Sequence, residues 1–199
     1  KPVIFLFPGT CCLYSSFDHV LDGLHSYFYT VTVSYDGFDP NEKTEFYSME
    51  DECEKIEQEI RKKYGGRIKA AYGCSLGGSF VSLLIQRKRI HIDHGIIGSS
   101  DMDEAGHLVA KIQSSMVVPF MYKMVHTGTL PKFMQKKLDK TDGGKKELYN
   151  GFLNMFGIGK GGSPWITKQS IYNQFYSDLV TKVQHGIDVP GTTIHVFYA

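Results

Sequence analysis

Little in this sequence favours a charged partner, a membrane or a covalent cross-link. Its 199 residues carry 22 basic and 21 acidic side chains, a formal net charge of +1. That balance leaves no footprint for nucleic acid, no polybasic patch for a membrane surface and no acidic tail. No apolar run approaches the roughly 18 residues of a membrane span. The longest, Val3-Ile4-Phe5-Leu6-Phe7, is strand-sized and lacks the flanks of an export signal. The four cysteines, Cys11, Cys12, Cys53 and Cys74, include no C-x-x-C pair for zinc or redox work. Neighbouring Cys11 and Cys12 can bridge only through a strained ring, so reduced thiols and a cytoplasmic location are expected. Phosphate loops are missing too. Gly159-Lys160-Gly161 and Gly144-Lys145-Lys146 lack both the leading glycine and the Ser or Thr that G-x-x-x-x-G-K-[ST] requires. No cofactor and no metal are expected.

What is present is an alternation of strand and helix. Residues 3–7 read as a buried strand stopped by Pro8-Gly9. Phe17, Val20, Leu21, Leu24 and Phe28 recur at helical spacing, with Ser16 as N-cap. Residues 29–35 are β-branched and aromatic, a second strand ended by Asp36-Gly37. Met49, Cys53, Ile56 and Ile60 mark a surface helix halted by Gly65-Gly66. Residues 68–72 form the third strand, a buried helix follows through Ile85, and residues 92–98 form the fourth. Alternation of this kind predicts a mostly parallel sheet covered by helices on both faces. The rhythm then breaks. Residues 101–185 read as a helical insertion, interrupted at Pro119, with a last helix capped at Ser163 or Thr167 and carrying Ile171, Phe175, Leu179 and Val183. A fifth strand is predicted at 192–198. Residues 1–100 and 186–199 are therefore the core, and 101–185 a cap rich in Phe, Tyr, Met and Trp.

The chemistry is concentrated at Gly73-Cys74-Ser75-Leu76-Gly77, which follows the third strand and opens a helix. A side chain held out of a sharp strand-to-helix turn needs a strained backbone at its centre and no Cβ two residues to either side. Ser75 is thus the candidate nucleophile, with Cys74 a packed neighbour. Phe7-Pro8-Gly9-Thr10 ends the strand expected alongside, and loops at the carboxyl ends of adjacent parallel strands share one crevice. Acyl transfer needs backbone N–H groups aimed at the developing oxyanion. Leu76 at the helix N-terminus is one candidate donor; Thr10 is the other, with Cys11 as the near alternative.

Together these residues resemble the α/β-hydrolase superfamily. Tyr35-Asp36-Gly37-Phe38-Asp39, Ala71-Tyr72-Gly73-Cys74-Ser75-Leu76-Gly77-Gly78 and Gly98-Ser99-Ser100-Asp101 are similar to a group of bacterial members. Pro8-Gly9 stands where the commoner oxyanion loop has His-Gly. The resemblance implies an α/β-hydrolase fold with a helical cap before the last strand present, and a serine hydrolase acting on a small or apolar acyl compound. It also implies the order Ser, then Asp or Glu, then His. On that order the acid follows the strand at 192–198 and the histidine comes after a further strand, so both are expected beyond Ala199. Asp101 is a weaker alternative for the acid. None of the eight histidines suits the general base by position. A non-catalytic binding protein and an acyltransferase using the same site are the competing expectations.

Overall fold

A computed structural model describes residues 1–100, 104–141, 143–156 and 161–197, apart from the side chains of Lys137, Leu148, Phe152 and Met155. Asp101, Gly159, Lys160 and Tyr198, to which the sequence assigns a role or an element, lie outside the described residues. The order is β1 (Val3–Phe7), α1 (Asp18–His25), β2 (Tyr29–Thr32), α2 (Met49–Tyr64), β3 (Arg67–Cys74), α3 (Leu76–Arg87), β4 (His91–Gly98), α4 (His107–Thr127), α5 (Lys132–Asp139), α6 (Gly144–Met155), α7 (Lys168–Val180) and β5 (Thr193–Phe197). The sheet runs β2-β1-β3-β4-β5, and each neighbouring pair is parallel.

Successive side chains of β1 face opposite layers, as a pleated strand requires. Ile4 and Leu6 join Ala70, Phe17 and the apolar side of α1, namely Leu21 and Leu24. Phe5 and Phe7 enter the larger core with Met49, Cys53 and Ile60 of α2 and Phe80, Val81 and Leu84 of α3. Tyr35 stacks on Phe80 with ring centroids 4.6 Å apart, and Phe46 meets Phe80 edge-on. Both faces are therefore covered around β1 and β3. That is why β1 reads as a continuous apolar run instead of an alternating one. At the far edge, Ile194, Val196 and Phe197 of β5 are exposed.

Several local expectations are corrected. A single 3-10 turn at Tyr14–Phe17 precedes α1, whose N-cap is Phe17, and the Ser16 hydroxyl finds no partner among the described residues. β2 stops at Thr32, although the Val33 N–H still donates to Leu6 O at 2.9 Å. α4 runs through Pro119 unbroken. Pro119 faces solvent, while Val118, Met124 and Val125 are buried, so packing offsets the lost backbone bond. Thr167 is the cap of α7, accepting from Ser170 N at 2.9 Å, and Val183 lies past the helix end. The Met and aromatic positions of the insertion are not uniformly core: Met116 and Phe133 are 75% and 69% exposed.

The tightest packing is at the β1–β3–α3 junction. A Cβ on Gly73 would stand 2.0 Å from Gly77 O, and one on Gly77 would stand 2.1 Å from Phe7 O. All the obstacles are backbone, so neither can give way. Gly77→Ala is expected to cost roughly 4 kcal/mol or more, or to prevent folding. Gly23→Ala in α1, where nothing lies within 4 Å, should instead gain up to about 1 kcal/mol. Urea denaturation compares the two.

Glu52 supplies a second check. It is 3% exposed, accepts from the Asp36 N–H at 3.4 Å and lies 3.3 Å from Lys55 Nζ. Burial, reinforced by the Asp36 charge and opposed by Lys55, pushes its carboxyl from 4.5 up to about 7. Between those values the unfolded chain loses its proton first. This group's contribution therefore falls as pH rises through the window and levels off above it. Relative to wild type, Glu52→Gln should gain on the order of 2 kcal/mol more at about pH 8 than at about pH 5, measured by denaturation at both.

Candidate functional site

Three segments meet at the carboxyl ends of β1, β3 and β4. Phe7 pairs with Gly73, and Cys74 pairs with Gly98. The turn at Ser75 follows from what its backbone must do. Its N–H donates to Gly98 O at 3.0 Å, while its carbonyl accepts from Gly78 N at 2.8 Å and Ser79 N at 3.3 Å. Tied to the end of β4 on one side and to the first turn of α3 on the other, Ser75 adopts φ 54°, ψ −127°. This is a strained conformation for a residue with a Cβ, of the kind that costs roughly 1–3 kcal/mol. The strain lifts the side chain out. Ser75 is exposed while Gly73 and Leu76 beside it are buried.

The loop after β1 comes right up to this turn. A Cβ on Gly9 would stand 3.3 Å from Cys74 O and 3.7 Å from Ser75 Cβ. The loop is pinned from two directions. The Tyr35 hydroxyl donates to Pro8 O at 3.0 Å from within the core, and the Cys12 N–H closes a β-turn on Gly9 O at 3.0 Å. In that turn Cys11 has φ 59°, a position where glycine or asparagine is usual. Its buried N–H donates to Gln174 Oε1 of α7 at 2.9 Å. The Cys11 N–H is thus occupied. The N–H groups of Thr10 and Leu76 have no acceptor among the described residues. Thr10 is half-buried, and Leu76 opens α3, where the helix dipole favours negative charge.

The thiols nearby are poor nucleophiles. Burial pushes the Cys12 thiol up to about 12 and raises Cys11 well above its usual value, while burial also raises Cys74. All four cysteines are free, and those near the turn stay protonated at neutral pH. No described histidine or carboxylate hydrogen-bonds the Ser75 hydroxyl. His94 Nδ1 contacts His195 Nε2 at 3.3 Å, His107 Nδ1 contacts the Tyr176 hydroxyl at 2.9 Å, and His91 Nε2 lies 3.3 Å from Asp93 Oδ1. His126 stacks beside Tyr122, and His19, His25 and His185 are exposed. Between α5 and α6, an apolar cavity of about 270 Å³ is lined by Leu130, Phe133, Met134, Leu138, Tyr149 and Leu153. The acidic trio Asp36, Asp51 and Glu52 brings its oxygens within 4.8 Å of one another, with Lys55 among them as counter-charge.

The sequence reading missed Gln174. Ser170, Gln174, Ser177 and Thr181 are all buried, at spacings of four, three and four that place them on one face of α7 and its end. Ser170 Oγ accepts from Phe46 N at 3.2 Å, and Ser177 Oγ accepts from Met49 N at 2.7 Å. The signal was a polar stripe at helical spacing, which reads as a solvent face when polarity is equated with exposure.

No family model and no curated protein matches the chain. Solved structures do. An α/β-hydrolase family protein from Desulfitobacterium hafniense matches with TM-score 0.67 and 14% identity, over 100% of this chain and 87% of that one. A thermophilic esterase from Thermogutta terrifontis gives 0.70 and 11% over 100% and 81%, and an enol-lactonase from Burkholderia xenovorans LB400 gives 0.61 and 12% over 100% and 72%. Likeness at so low an identity speaks for architecture alone. With its parallel five-stranded sheet and the turn at Ser75, this chain has the α/β-hydrolase fold.

Proposed function

We propose that the protein is a serine hydrolase that cleaves an ester, thioester or amide through an acyl-enzyme on Ser75. The observation that carries this reading is the strained, exposed Ser75 between half-buried Cys74 and buried Leu76, beside a loop whose Thr10 N–H has no described acceptor. In the proposed reaction, Ser75 Oγ adds to the acyl carbonyl while its proton passes to a histidine. The oxyanion that forms is met by the N–H groups of Leu76 and Thr10. Collapse expels the alcohol, thiol or amine with that proton, and water then releases the acid by the same route. The histidine and the acid that orients it are taken to follow the superfamily's order, Ser, then Asp or Glu, then His. We further propose that α4–α7 act as a cap, with the apolar cavity of about 270 Å³ between α5 and α6 supporting an apolar acyl group. An esterase and a lactonase are among the similar structures, and hydrolysis is the reaction we carry over to this chain.

Two experiments test the reading. A fluorophosphonate probe should label the full-length protein at Ser75, located by peptide mass spectrometry, and Ser75→Ala should abolish labelling. Labelling that survives the substitution overturns the assignment, and a wild-type protein that resists the probe points to a non-catalytic binding role. Strain at a reactive turn is also measurable without activity. Ser75→Gly should raise stability by about 1 kcal/mol in urea denaturation, whereas Ser75→Ala should not.

A further inference from the structure

Helix α7 joins the core through buried Ile171 and also carries a line of buried polar side chains. Along one stripe, Ser170, Gln174, Ser177 and Thr181 are at most 6% exposed. Ser170 and Ser177 hold the backbone of Phe46 and Met49, Asn173 Nδ2 donates to Phe46 O at 2.7 Å, and Thr181 Oγ1 donates to Glu50 Oε1 at 3.2 Å. Those bonds all reach one stretch, residues 46–50. Gln174 alone in the stripe reaches elsewhere, to the turn after β1, where its Oε1 accepts from Cys11 N at 2.9 Å. Its other end, Nε2, is buried with no partner among the described residues. The side chain is therefore held at one end only, and that end is the loop beside Ser75.

Cys11 is the residue of that loop most in need of support. It carries a Cβ at φ 59° and is 1% exposed, and such a conformation persists only where the surroundings impose it. Thr10 and Cys11 are the two central residues of the turn closed by Cys12 N on Gly9 O. The Cys11 N–H lies on the Thr10–Cys11 peptide and the Thr10 N–H on the preceding Gly9–Thr10 peptide, so holding the first plane restrains the Thr10 φ and ψ that relate the two. We propose that Gln174 is a positioning residue: by fixing Cys11 N–H from α7, it sets the direction of the Thr10 N–H. Docking of α7 and assembly of the oxyanion site are then a single event. This rests on the proposed role of Ser75 and Thr10, and it deepens that role.

The test separates the two ideas. Gln174→Leu keeps the size and removes the acceptor. Gln174→Glu keeps an acceptor oxygen, and Ser177→Ala weakens the same stripe at a different partner. The rate of Ser75 phosphonylation by a fluorophosphonate is read as a function of probe concentration, alongside amide hydrogen exchange at Cys11. Gln174→Leu should slow the limiting rate by at least about tenfold, since a misdirected oxyanion donor is felt in the chemical step. The half-saturating concentration should be little changed, and Cys11 exchange should accelerate. Gln174→Glu should recover most of the rate, and Ser177→Ala should keep it. Equal slowing in Gln174→Leu and Ser177→Ala, or no slowing in either, overturns the proposal in favour of a structural role. If the wild type is not phosphonylated, the hydrolase reading fails by itself. The exchange data then decide whether Gln174 clamps the loop: protection at Cys11 unchanged in Gln174→Leu refutes the clamp, and its loss supports it.

Discussion

The structure turns on the near-contact of three backbones. Gly77 at the start of α3 lies against Phe7 O at the end of β1, and Gly73 at the end of β3 lies against Gly77 O, so closely that no Cβ fits at either glycine. From that crossing the rest follows. α3 can lie flat on the sheet and bury Phe80, Val81 and Leu84. The residue between the glycines has to turn the chain within a single position, and Ser75 does so at φ 54°. Strain at Ser75 is thus paid for by the burial around it, and it would relax in any looser packing.

The same crossing sets the electrostatics. The start of α3 lies against the loop that follows β1, and that loop is pinned by the Tyr35 hydroxyl from the core and by Gln174 from α7. The cysteines that crowd the junction are held protonated by burial. On the proposed reading the reactive group is therefore a hydroxyl, which needs a base, and not a thiol. Aromatic stacking packs the sheet domain, and α7 joins it through buried Ile171 and a line of polar side chains bonded to backbone.

Much of this was legible in the residues. The run at 3–7, the alternation of strands and helices and the Gly73-x-Ser75-x-Gly77 spacing each have a local physical cause, and local causes can be read from sequence. What escaped depends on long-range partners. Ser16 looked like a helix cap, yet a 3-10 turn came first and α1 began at Asp18. Pro119 looked like a break, yet buried Val118 and Met124 carry α4 past it. The choice between Thr10 and Cys11 as a donor could not be made locally. It depends on an oxygen from Gln174, 163 residues further along the chain. The stripe at 170, 174, 177 and 181 was visible as polarity, but nothing in it says that the surface it meets is backbone and not water.

Ser75 and the loop after β1 are proposed to form one acyl-transfer site with a defined oxyanion position. The most direct measurement is a crystal structure of the full-length protein phosphonylated at Ser75. The phosphoryl oxygen should lie within roughly 3 Å of both the Leu76 and the Thr10 N–H groups, with the Cys11 N–H still on Gln174. A phosphoryl oxygen turned to solvent, or one bonded to Cys11 with Gln174 displaced, would contradict it.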